Sequence, residues 1–142
     1  MIYTLRIKCV WGIYLAEPFE RTVEIDSRTT LAKLHEYIQV LTDFDNDHCY
    51  DFFVGKTPRD IRNSLGRDSE FGAASNKLKK VTLADVFPLA KGQYLYYWFD
   101  FGDDWKFQIS AKGEQAVQPG IKYPRVIAEK GPKPIQYPEF EE

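Results

Sequence analysis

Cysteine is scarce. The 142 residues contain only Cys9 and Cys49, with no CxxC spacing, so a reduced, cytoplasmic setting is expected. Long apolar runs are missing too. Nothing approaches the roughly 20 residues that cross a bilayer. The N-terminal MIYTLRIKCVWG alternates polar and apolar residues, unlike the solid apolar stretch of a signal peptide. No membrane partner is therefore expected. There is no cationic surplus either: 19 Lys and Arg stand against 21 Asp and Glu, a formal net charge of −2. General nucleic-acid binders need excess positive charge to displace counterions from phosphate, and this chain lacks it.

Aromatic residues are abundant. They make up 15% of the chain, with nine Tyr, ten Phe and three Trp. Flat rings pack well on pleated, half-buried strands, so a sheet-bearing fold is expected. With 44% hydrophobic and 28% charged residues the balance is ordinary for a globular chain. A chain of this length fits one domain and can bury roughly two-thirds of its unfolded surface.

Hydrophobic period divides the chain. Tyr3, Leu5, Ile7, Cys9 and Trp11 alternate with Thr4, Arg6 and Lys8, which predicts a strand with one buried face. Phe19, Arg21, Val23 and Ile25 repeat the pattern and complete a hairpin. The period then changes: Leu31, Leu34, Ile38 and Leu41 recur at helical spacing behind the hydroxyls of Ser27, Thr29 and Thr30, predicting a helix over about 30–42. CYDFFVG (49–55) reads as a third strand and TPRDIRNSL as a short helix. GRDSEFGAASNK reads as an exposed loop. VTLADVF predicts a helical turn, and YLYYWFDF and WKFQISA predict two further strands. Beyond Gly113, Pro119, Pro124, Pro132, Pro134 and Pro138 predict an extended tail, because proline cannot donate to a ladder. The expected fold is α+β of the β-grasp (ubiquitin-like) type: a sheet wrapping one main helix, with an added C-terminal hairpin and a Pro-rich tail. Residues 1–112 are expected to form the domain, and 113–142 an extension packing on it.

Three stretches resemble one family. TLAKLHEYIQV followed by HCYDFFVG is similar to its TLxxLHxxIQ helix and histidine-led strand. YLYYWFDFGDDWKFQIS resembles its Tyr-rich strand, DFGDDW turn and returning strand, and YPRVIAEKGPKP resembles its YPRC segment. Together they identify the chain as similar to the plasmid pRi ORF-three-like family, whose members are often labelled TnpR-family passenger proteins of insertion elements. The resemblance implies an association with mobile elements, not a recombinase chemistry. The chain departs from the family pattern at Lys106-Phe107 in the return strand. Val126 replaces the YPRC cysteine, and PKPIQYPE replaces the PPEDCGG continuation. A metal site built on those cysteines loses its ligands here.

The DFGDDW turn poses the functional question. With a Gly102-Asp103-Asp104 loop, Phe101 would face Trp105, Phe99 would face Phe107, and Asp100 would pair with Lys106 across the strands, a contact worth about 0.2–1 kcal/mol. A one-residue slip would turn Asp100 to the other face. The alternative is that Asp100, Asp103 and Asp104, with His35 and His48, hold a hard divalent cation. The cofactor is left unknown; a divalent metal is admitted without being favoured, and it would make a metal-dependent hydrolase. His35 reads equally as a satisfied histidine at the edge of the core, and the turn aspartates as caps bonding backbone amides. Tyr94, Tyr96 and Trp98 fall on the polar side of their strand and need cover, either from Tyr123 and Tyr137 of the tail or from a partner. The leading expectation is a non-enzymatic module that binds a macromolecule, a protein first, through Tyr94, Tyr96, Trp98, Trp105, Tyr123 and Arg125. A nucleic-acid role would use the basic segment 56–80, where seven Lys and Arg outnumber three acidic residues, through Arg59, Arg62, Lys77, Lys79 and Lys80.

Overall fold

The computed structural model describes residues 1–66 and 76–139. Most of the expected GRDSEFGAASNK loop (67–75) and the acidic end (140–142) lie outside the described residues. Strands β1 (Ile2–Trp11) and β2 (Phe19–Asp26) form a hairpin and lead into helix α1 (Leu31–Thr42). Then follow β3 (Tyr50–Gly55), β4 (Asn63–Ser64), the short helix α2 (Leu83–Val86), β5 (Tyr94–Phe99), β6 (Trp105–Gln115) and β7 (Arg125–Lys130). The strands form one seven-stranded sheet in the order β4-β3-β5-β6-β1-β2-β7, antiparallel at every junction.

This overturns the expected β-grasp. Among the described residues the two helices span only 12 and 4 residues, and the fold is mostly an antiparallel sheet rather than a sheet wrapped around one main helix. The reason lies in β6. A wrapped-helix plan of that type seats the strand after α2 beside β1, with any later hairpin added at the margin. Here β6 returns from β5 and inserts itself between β5 and β1, pairing with both. TPRDIRNSL is also corrected: it forms turns, with Asp60 N–H donating to the Thr57 carbonyl at 3.1 Å, and ends in β4.

Local signals set the helices. The Thr30 hydroxyl accepts the Lys33 N–H, and Asp43 adopts a left-handed conformation that ends α1. Thr82 and Asp85 close a reciprocal capping box on α2. α1 lays Leu31, Leu34, Ile38 and Leu41 on one face of the sheet, against Leu5, Ile7, Val23, Ile25, Tyr97, Phe99, Trp105 and Phe107. Each of these side chains stabilises the fold by about 1.5–3 kcal/mol relative to exposure. Cys9 belongs to this core, where burial pushes its thiol up to about 12. Among the described residues no helix is long and apolar enough to cross a membrane.

Candidate functional site

The β5–β6 connection has five residues, Asp100 to Asp104, rather than three. Phe99 faces Trp105, Tyr97 faces Phe107 and Leu95 faces Ile109. The pairing is displaced by two positions from the expected register, so the alternation survives: Trp105 and Phe107 are buried in the core, and Phe101 is released from it. Asp100 and Asp104, not Gly102, take the left-handed conformations, at φ 56° and 59°. Aspartate tolerates that region because its side chain bonds locally: Asp100 Oδ1 accepts the Asp103 N–H at 3.2 Å, and the Asp100 carbonyl accepts the Asp104 N–H at 2.6 Å. Phe101, 46% exposed, lies with its ring centroid 4.5 Å from that of Trp98.

Lys106 pairs differently from the expectation. Its ammonium lies 3.3 Å from Asp104 and 4.9 Å from the Trp98 ring centroid. Asp100 instead turns toward the loop that leads into β3. Its N–H donates to the Cys49 carbonyl, and Oδ2 lies 3.4 Å from His48 Nε2. His48 also stands 3.7 Å from Asp47 Oδ1, and its Nε2 is 2.8 Å from the Tyr137 hydroxyl. Tyr137 donates that hydroxyl to Asp47 Oδ2 at 2.7 Å, and Gln136 Nε2 donates to Asp47 Oδ1 at 2.9 Å. Desolvation acts to raise the Asp47 carboxyl, but the Tyr137 and Gln136 donors outweigh it and hold it below the usual carboxylate range. Asp103 moves the opposite way, raised first by desolvation and then by the charge of Asp100. Asp47, Asp100 and Asp103 thus surround one exposed imidazole at the hairpin end. A cleft of about 440 Å³ adjoins them, lined by His35, Asn46, Asp47, His48, Cys49 and Tyr50.

His35 lines the cleft, but both its ring nitrogens are already engaged. Asn46 Oδ1 can only accept, so His35 Nε2 donates to it at 2.7 Å and Nδ1 accepts from the Tyr97 hydroxyl. Tyr97 in turn accepts from Gln39 Nε2 at 2.9 Å, and Gln39 Oε1 accepts the Asn46 N–H. The ring closes on itself. Burial lowers the His35 pKa from 6.5 to about 4, although Asn46 pulls the other way. The five suggested metal ligands are therefore divided: His48, Asp100 and Asp103 gather at the rim, Asp104 is held by Lys106, and His35 is spent inside. Among the described residues no three His, Cys, Asp or Glu are placed to hold a metal ion.

The suggested partner-binding residues scatter as well. Trp105 is fully buried, and Tyr96 is buried against Phe53 with its hydroxyl on Gln108. Tyr94 and Trp98 are half-buried. Tyr137 is engaged elsewhere, with its hydroxyl on Asp47. Tyr123 is half-buried with its hydroxyl oxygen lacking a partner among the described residues. Arg125 is exposed on β7 but bound to Glu24 at 2.6 Å. In the basic segment, Arg59, Lys77, Lys79 and Lys80 are exposed, Arg62 is held by Asp60 at 2.8 Å, and Arg67 lies outside the described residues. Sequence reasoning missed Asp47 and Phe101. The acid-rich DFDNDH run was the available signal for the first; for the second there was none, because the register had to be known.

The model of the family described as plasmid pRiA4b ORF-3-like protein matches residues 2–136. The chain is 29% identical over 89 residues to the uncharacterized protein y4hQ of Sinorhizobium fredii, a match covering 63% of this chain and 43% of that protein. The match thus spans less than half of that relative's length. The crystal structure of the protein of unknown function MM3350 from Methanosarcina mazei Go1 has the same fold: TM-score 0.69 at 23% identity, covering 90% of this chain and 68% of that one.

Proposed function

The chain belongs to the plasmid pRiA4b ORF-3-like family, and we propose that it acts as a binding module for a protein segment that carries a basic side chain beside an apolar one. The observation supporting this reading is the β5–β6 loop, which holds Phe101 outside the core, 46% exposed, in the same five residues as the Asp100 and Asp103 carboxylates. Asp47 adds a third carboxylate to that rim. An exposed ring gives up burial it could have had in the core, and Trp98 fixes its orientation from behind. Interface anchors are commonly such pre-oriented rings, and opposite charge sets partner choice and encounter rate.

Calorimetric titration with short peptides tests the reading. A peptide with arginine next to phenylalanine should bind, weaken at high salt, and weaken again in Asp103→Asn and in Phe101→Ala. Its glutamate-for-arginine counterpart should not bind. Equal binding of the two peptides, or none by either, refutes the proposal.

A further inference from the structure

We infer that residues 131–138 form an autoinhibitory strap, in which Gln136 and Tyr137 occupy the Asp47 carboxylate that a partner's basic group would take. This rests on the reading of Asp47, Asp100 and Asp103 as a collector of basic groups, and adds how access to it is controlled.

The strap is fixed at one end. Gly131 turns the chain out of β7 at φ 77°, where an added Cβ would lie 1.7 Å from the Pro18 carbonyl oxygen. Beside it the buried Arg21 guanidinium donates to the carbonyls of Lys130 at 3.1 Å and Gly131 at 3.0 Å, and packs 4.3 Å from the Phe19 ring centroid. Among the described residues, the hydrogen bonds that hold the other end come from side chains of the strap. Gln136 Oε1 accepts the Asp45 N–H at 2.7 Å, and Gln136 and Tyr137 together fill both oxygens of Asp47.

Between the two ends the strap stands off the body. A groove of about 490 Å³ separates it from the β1–β2 connection, lined by Ile13, Tyr14, Leu15, Pro132, Pro134 and Pro138. Ile135 is 64% exposed, and among the described residues no backbone–backbone hydrogen bond ties 132–138 to the sheet. A segment with few buried contacts and a side-chain latch opens at lower cost than the sheet beneath it.

The chemistry of the latch makes it displaceable. Gln136 and Tyr137 bring neutral donors to Asp47, whereas a lysine or arginine brings a full positive charge to a rim of three carboxylates. The Asp47 carboxylate makes the bonds of either occupant charge-assisted, and a cation adds direct Coulomb attraction that a neutral donor lacks. A basic partner therefore competes on better terms for the same two oxygens.

The test uses the full chain and a capped Arg-Lys-Arg peptide as probe, with wild type compared against the Gln136→Ala/Tyr137→Phe double variant. The double variant should bind about tenfold more tightly, because the closed fraction no longer reduces the apparent affinity. Saturating the wild type with the peptide should speed exchange of the Asp45 amide, as its acceptor leaves with the strap. Equal affinities with Asp45 exchange unchanged by peptide overturn the strap and leave the binding site standing. Absence of binding to both forms overturns the site and the strap with it.

Discussion

His35 lies flat on Tyr50, with ring centroids 3.6 Å apart and planes within 2°. The stack caps a closed polar ring of His35, Tyr97, Gln39 and Asn46 that ties α1 and the loop after it to β5. This histidine, one of the suggested metal ligands, works as a structural clasp in its neutral form.

Stability should accordingly fall with acid. The folded-state pKa of His35 is depressed to about 4 from 6.5, so the unfolded chain takes up a proton before the folded one does. The His35 contribution is fully present above about 6.5 and is lost as pH falls through the window down to about 4, an upper limit of about 3 kcal/mol. Urea denaturation of wild type and His35→Gln at a series of pH values checks it. The stability difference between the two should shrink steadily across that window; a difference independent of pH would remove the role.

The hairpin register predicts opposite costs for two neighbouring rings. Phe99→Ala empties a core site and should destabilise by about 3–5 kcal/mol. Phe101→Ala removes an exposed ring and should cost under about 1 kcal/mol. Thermal and denaturant unfolding of both variants decides it, since the three-residue loop would have turned Phe101 inward against Trp105.

Gly131 carries a steric requirement that Gly113 does not. Gly131→Ala forces a Cβ into the Pro18 carbonyl at a positive φ, whereas Gly113→Ala meets nothing within 4 Å. The first should cost at least about 2 kcal/mol and loosen β7, and the second should stay within about 1 kcal/mol. Hydrogen exchange at Val126 and Ala128 reports the loosening directly.

What the sequence yielded follows the range of its signals. The β1–β2 hairpin, α1 with its Thr30 cap, and the α2 turn rest on period and caps within a dozen residues, and all are present. The sheet order was hidden, because whether β6 joins the margin or enters between β5 and β1 depends on pairing Leu5 with Ala111, over a hundred residues away. The alternation of β5 and β6 was readable, but the partner of each residue depended on loop length. Asp100 and Asp104 took left-handed conformations at the two ends of a five-residue loop, and the shifted register moved Lys106 from Asp100 to Asp104. The Asp47–Tyr137 contact joins residues 90 apart. No local pattern announces such a pairing.

The most direct test of the proposed binding site is an amide-resolved NMR titration of the full chain with an Arg-Phe peptide. The account predicts shifts that saturate together at Asp47, His48 and Asp100–Asp104 and leave the exposed Lys79 and Lys80 region unmoved. Saturating shifts centred on residues 76–80, or none at the hairpin end, would contradict it.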